Sequence, residues 1–162
     1  MVKRVFFSFH YSKDNSRAGV VRNSNITKDM KDYFDAAEWE KVKKQTPLAI
    51  KRWINSQLTN TSATIILIGA ETSKRDWVKY EIEESLNRNK GILGINIHNI
   101  KNLDGYTSIK GANPLNKFNV RTNSRIEKAS NVFPVYDWKI HDGYQNLGRW
   151  IDEACAISYK YL

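Results

Sequence analysis

The sequence predicts an open α/β domain, a parallel sheet covered by helices on both faces. Residues 64–68 form a continuous β-branched and leucine run with no polar alternation, the pattern of a strand buried on both sides. Val78, Ile82 and Leu86 then recur every four residues, which is the buried stripe of a helix. Strand-like and helix-like segments alternate five times within 162 residues, and in one domain that alternation argues for parallel strands joined by right-handed crossovers.

In chain order, residues 5–9 (Val-Phe-Phe-Ser-Phe) form the first strand, apolar on successive positions and so buried on both faces. Residues 10–16 read as the loop at its carboxyl end. Residues 17–23 give a short helix around Val20 and Val21, and 23–27 a turn-rich loop. A short second strand at residues 33–36 carries little apolar material and suits a sheet edge. Thr46 caps the next helix, with Pro47 at the first position, where its missing N–H costs nothing. Ile50, Trp53, Ile54 and Leu58 make that helix's apolar face. The third strand, 64–68, stops at Gly69. Ser73 is placed to cap the following helix, with Asp76 three residues on.

Residues 91–97 are the fourth strand. From 98 to 131 the chain is polar and irregular, with Asn102, Gly105, Gly111, Asn113 and Pro114. Segments of that length without secondary structure are uncommon in small domains and tend to be functional or mobile. Residues 132–136 form a fifth strand whose Pro134 fits an edge. A last helix places Tyr144, Leu147, Ile151, Ala154 and Cys155 on one side.

Composition bounds the function. With 41% hydrophobic residues the chain, 1–162, is one domain with a real core. A single cysteine excludes an internal disulfide framework and a multi-cysteine zinc site, and suits a reducing cytoplasm. No stretch of eighteen apolar residues occurs, so no membrane association is expected. Twenty-six Lys and Arg against seventeen Asp and Glu give a net charge of +9, which favours polyanions in general. The basic residues are dispersed, however, with no run of five, as on a solvated surface.

For a flavodoxin-like strand order, 2-1-3-4-5, the ligand crevice lies between the carboxyl ends of strands one and three. Trp77 and Glu81 are four apart, so they share one helical face near that rim. Several chemistries fall away. The acidic residues of a receiver-type phosphotransfer site are replaced by Ser8, Phe9 and His10 after strand one, and by Ile68 and Gly69 at the end of strand three. No glycine lies between residues 10 and 16, which removes a dinucleotide or P-loop turn. There is no Gly-x-Ser-x-Gly elbow, and His10, His98 and His141 have no metal-ligand spacing.

Phe6-Phe7-Ser8-Phe9, the Trp77-x-x-x-Glu81 spacing and five β/α units together resemble a TIR domain. Residues 3–11, Val20-Val21-Arg22-Asn23, Phe34-Asp35-Ala36, Trp39-Glu40, residues 65–69 and residues 77–82 are more narrowly similar to the TIR-like proteins of the bacterial Thoeris anti-phage system. The resemblance runs to about Asn116. It implies a three-layer, five-stranded TIR fold and an NAD-processing enzyme of the glycohydrolase or cyclase type. The glutamate matching Glu81 would cleave the nicotinamide–ribose bond, and a cyclic ADP-ribose-type signal would activate a separate effector.

One positioned carboxylate suits this chemistry, because loss of nicotinamide leaves an oxocarbenium-like ribose. The resemblance implies Glu81 as the catalytic group. Ser8, Phe9, His10, Asp35, Trp39 and Trp77 are the residues expected to hold NAD, which is substrate; no metal or separate cofactor is expected. Self-association is compatible with this reading. Two alternatives come from other classes: a TIR module acting only by protein–protein assembly, and a basic nucleic-acid binder, whose only witness is the charge.

Overall fold

The computed structural model describes residues 3–24 and 42–162. Four strands, β1 (Val5–Ser8), β2 (Ala63–Ile68), β3 (Gly91–Asn96) and β6 (Val135–Asp137), form one parallel sheet in the order β1-β2-β3-β6. Register is set at Val5 opposite Ala63, Ala63 opposite Gly91 and Gly94 opposite Val135. These are the expected first, third, fourth and fifth strands. The expected second strand, residues 33–36, lies outside the described residues.

Alternation along the buried strands sorts side chains into two layers. Val5, Phe7, Ile65, Leu67, Leu93 and Ile95 pack with α1 (Tyr11–Arg22) and α5 (Gly143–Cys155), through Ala18, Val21, Leu147, Trp150 and Ile151. On the opposite face Ile66, Ile68 and Ile92 meet the stripe Val78, Ile82 and Leu86 of α3 (Asp76–Asn87). Phe6 packs there against Ile50, Ile54 and Leu58 of α2 (Pro47–Leu58). Each fully buried side chain of this size contributes about 1.5–3 kcal/mol. Thr46 caps α2 by accepting the Ala49 N–H at 3.2 Å.

Several expectations are corrected. Residues 10–16 are not a loop: His10 caps α1 through Nδ1, which accepts the Lys13 N–H at 3.2 Å, and the helix begins at Tyr11. An imidazole thus takes the part usually played by a short oxygen side chain. Ser73 caps nothing. It lies in a 3-10 turn, Thr72–Lys74, and α3 starts after Arg75 with no side-chain cap. The fifth strand begins only at Val135, because Ala129–Val132 is a short helix, α4. On α5 the buried face includes Trp150, whereas Tyr144 is exposed.

The stretch from 98 to 131 is ordered in large part. β4 (Asn119–Thr122) and β5 (Arg125–Lys128) form a hairpin, and β4 also pairs with β7 (Lys160–Tyr161) in a second, antiparallel sheet. Its two turn residues, Asn123 and Ser124, both have positive φ, 49° and 66°, as a two-residue hairpin matched to strand twist requires. Upstream, the Arg17 guanidinium donates to the carbonyls of Ile100 at 2.7 Å and Tyr106 at 2.9 Å. Gly111 presses so closely on the Gly69 carbonyl that a Cβ there would stand 1.9 Å from its oxygen. Both contacts tie this segment across the sheet's carboxyl rim. No helix among the described residues is long and apolar enough to cross a membrane.

Candidate active site

The last residue of β1 and the second turn of α3 meet at the rim. Ser8 ends a strand in which every residue is buried, so its hydroxyl must find a partner inside the protein. It donates to Glu81 Oε1 at 2.8 Å. Glu81 is brought there because Val78, Ile82 and Leu86 seat α3 on the sheet, which turns the adjacent helical face toward β1. Only 6% of Glu81 is exposed. Burial pushes its carboxyl up to about 8, against the opposing pull of the Ser8 hydrogen bond, so it holds a proton at neutral pH.

Hydroxyls also fix the backbone at this point. Ser85 donates to the Glu81 carbonyl at 2.6 Å and shares a 2.7 Å hydrogen bond with Thr64 of β2. Trp77, one turn before Glu81, is half-buried and packs edge-on to Tyr80 at 5.8 Å. The Tyr80 hydroxyl in turn reaches Asn55 of α2 at 3.0 Å.

A cleft of about 240 Å³ opens beside this carboxyl group. Among the described residues its walls are the aromatic side chains of Phe7, Phe9, Tyr11 and Trp77 with Val78, and its polar lining is Ser12, Lys43, Arg75 and Glu81. A ring-walled cleft with one acid and two cations suits a ligand carrying an aromatic heterocycle, a sugar and an anionic group.

The structure brings Phe9, Trp77 and Glu81 together in the cleft, and Ser8 stands behind, bonded to Glu81. His10 is buried but does not line the cleft. Its Nδ1 is occupied as the α1 cap, and burial, with the nearby Arg75 charge, moves its pKa below the usual histidine value. Asp35 and Trp39 lie outside the described residues. Phe7, Tyr11, Ser12, Lys43 and Arg75 also line the cleft and are not among the residues expected to do so. Tyr11 and Ser12 fall in a polar stretch that reads as a loop, and exposed cations such as Lys43 and Arg75 give no pattern that separates a site from a solvated surface. Among the described residues no three His, Cys, Asp or Glu side chains stand close enough together to hold a metal ion.

Residues 6–102, which carry the cleft, match the family described as "Thoeris protein ThsB, TIR-like domain". The chain belongs to this family. The matched ThsB TIR-like region spans β1 through β3 and the beginning of the segment that crosses the rim. The chain is also 34% identical, over 192 aligned positions, to a Bacillus cereus (strain MSX-D12) protein named "Putative cyclic ADP-D-ribose synthase ThsB1", with 94% of this chain and all of that protein covered. That alignment extends the ThsB likeness well past residue 102, into the region of the second sheet and α5.

Proposed function

We propose that this protein cleaves the nicotinamide–ribose bond of NAD and closes the remaining ADP-ribose into a cyclic signal for a separate effector in anti-phage defence. The observation that carries it is Glu81, a nearly buried carboxyl group held by Ser8 at the edge of an aromatic cleft. Family membership and the name of the Bacillus cereus relative support the same reaction.

In this reading the nicotinamide ring lies among the aromatic walls and the ribose beside Glu81. The pyridinium charge of NAD favours the ionised carboxylate, offsetting its burial. The C–N bond breaks with its electron pair leaving on nicotinamide, and Glu81 stabilises the oxocarbenium-like ribose. An adenine nitrogen or a hydroxyl of the same molecule then bonds to the anomeric carbon, and one proton leaves from the adenine amino group or from that hydroxyl; attack by water would give linear ADP-ribose. Aromatic walls that exclude water favour the cyclic product. Ser8 orients Glu81, while Phe9 and Trp77 contact the substrate; Asp35 and Trp39 are proposed as further NAD contacts, and His10 supports the site from behind as the cap of α1. NAD is substrate and no further cofactor takes part. The strand order proposed for the whole fold is 2-1-3-4-5, and the protein is proposed to work in the cytoplasm, with self-association compatible with the site.

The test is incubation of the purified chain with NAD and mass spectrometry of the products, in parallel with phage-challenged cells expressing it. Nicotinamide and a cyclic ADP-ribose isomer are expected from the unaltered protein. Glu81→Gln is expected to lower turnover at least 100-fold, a typical cost of removing one transition-state contact. Defence that persists in Glu81→Gln cells without such a product would establish an assembly module instead.

A further inference from the structure

Among the described residues, three acids on or beside the elements that carry the cleft lining each have a basic neighbour. Glu71 lies 2.8 Å from the Lys13 ammonium, Asp76 lies 3.9 Å from Lys79, and buried Asp14 lies 3.7 Å from Arg17. Among the described residues, the cations lining the cleft are Lys43 and Arg75. Lys43 lies over the Tyr11 ring, 5.9 Å from its centre. The Arg75 side chain is exposed and, among the described residues, forms neither a hydrogen bond nor an ion pair. Among the described residues, no fold-stabilising bond accounts for a guanidinium at this position.

Size and distance say which part of a ligand would meet it. A cleft of about 240 Å³ falls below the roughly 300–1,000 Å³ of pockets that enclose whole drug-sized molecules. It takes the nicotinamide and its ribose and leaves the rest of a dinucleotide at the mouth. Arg75 precedes Glu81 by six residues, about 9 Å along the helix axis, which is the scale of a ribose and its 5′ phosphate. A guanidinium presents a planar fork of donors matched to two phosphate oxygens.

Building on the reading of Glu81 given above, we propose that Arg75 clamps the substrate's pyrophosphate and selects substrates that carry an ADP half over nicotinamide riboside, which has no phosphate. Its contribution is to binding, with the bond-breaking step left to Glu81.

ADP-ribose keeps the pyrophosphate but has no nicotinamide bond to break, so its binding measures the clamp without turnover. Calorimetric titration of ADP-ribose into the full chain is expected to show a Kd at least tenfold weaker for Arg75→Ala, an intermediate value for Arg75→Lys, and a value within about twofold of the unaltered protein for Lys74→Ala, an exposed neighbour outside the cleft. With NAD, Arg75→Ala is expected to raise KM with little change in kcat, and to leave KM for nicotinamide riboside unchanged. Equal ADP-ribose binding by the unaltered and Arg75→Ala proteins, an equal loss in Lys74→Ala, or no ADP-ribose binding by the unaltered protein overturns the clamp. The two readings can fail separately. Arg75-dependent binding without NAD cleavage would remove the catalytic role of Glu81 and keep the clamp, whereas NAD cleavage with no effect of Arg75→Ala would do the reverse.

Discussion

Glu81 costs the fold stability at the pH where the site would work. Its carboxyl titrates near 4.5 when free and near 8 in the folded chain, because burial penalises the charge. Between those values the native state binds a proton that the unfolded state has lost, so stability falls as pH rises from about 4.5 to about 8 and levels off above. The size of the effect is on the order of a few kcal/mol. Glu81→Gln keeps the shape and an acceptor for Ser8 but cannot ionise. Urea denaturation should therefore find the variant more stable than the unaltered chain, by a margin that is small at pH 5 and grows toward pH 8. The same titration should make NAD cleavage by the unaltered protein rise with pH over this range, since the carboxylate is the reactive form. A margin that does not change with pH would mean that Glu81 is already charged in the resting fold.

At the scale of elements, α1 is held by charge as much as by apolar packing. Arg17 is buried, pairs with buried Asp14 on its own helix and donates to two carbonyls of the segment after β3. Arg17→Ala would leave that carboxyl without its counter-charge and two carbonyls without donors, at a cost of about 2–4 kcal/mol. It should also release the segment around residues 98–108, seen as faster amide hydrogen exchange there while β2 stays protected. If exchange there is unchanged, the remaining ties, Asn99 to Asp137, Ile100 in the core and Gly111 against Gly69, are enough to anchor the segment. This arrangement explains what could be read from the sequence. The strands at 5–8, 63–68 and 91–96 and the stripe of α3 declared themselves through unbroken apolar runs and a four-residue repeat. The first half of α1 did not, because Ser-Lys-Asp-Asn-Ser-Arg looks like a loop until Arg17 and Asp14 are known to point inward. β4 and β5 contribute a single buried side chain, Val120, so alternation has almost nothing to show. In the site, the i, i+4 spacing of Trp77 and Glu81 was legible, but the Ser8–Glu81 bond joins residues 73 apart, a pairing that only the crossover creates.

Across the whole molecule, α3 is gripped from two sides, and only one of them faces the cleft. The sheet and Ser8 hold its inner side. Behind it, Leu115, Val120, Phe133 and the partly buried Ile157, Tyr159 and Tyr161 complete the same apolar cluster as Val78, Ile82 and Leu86. Tyr159 is the tie: its ring meets Phe133 edge-on at 4.9 Å, and its hydroxyl donates to the Lys90 carbonyl at 2.7 Å, just before β3. Lys90 in turn donates to the carbonyls of Leu58 and Thr61, so one short path links the residue just before β7, the α3–β3 connection and the α2–β2 connection. Because this path lies behind α3, its loss should weaken the fold and spare the chemistry. Tyr159→Ala removes a partly buried ring and its hydrogen bond and should lower stability by about 2–4 kcal/mol in chemical denaturation. NAD turnover per folded molecule, measured below the unfolding transition, should stay within about threefold of the unaltered chain. A large fall in turnover at full folding would show that the second sheet sets the position of Glu81.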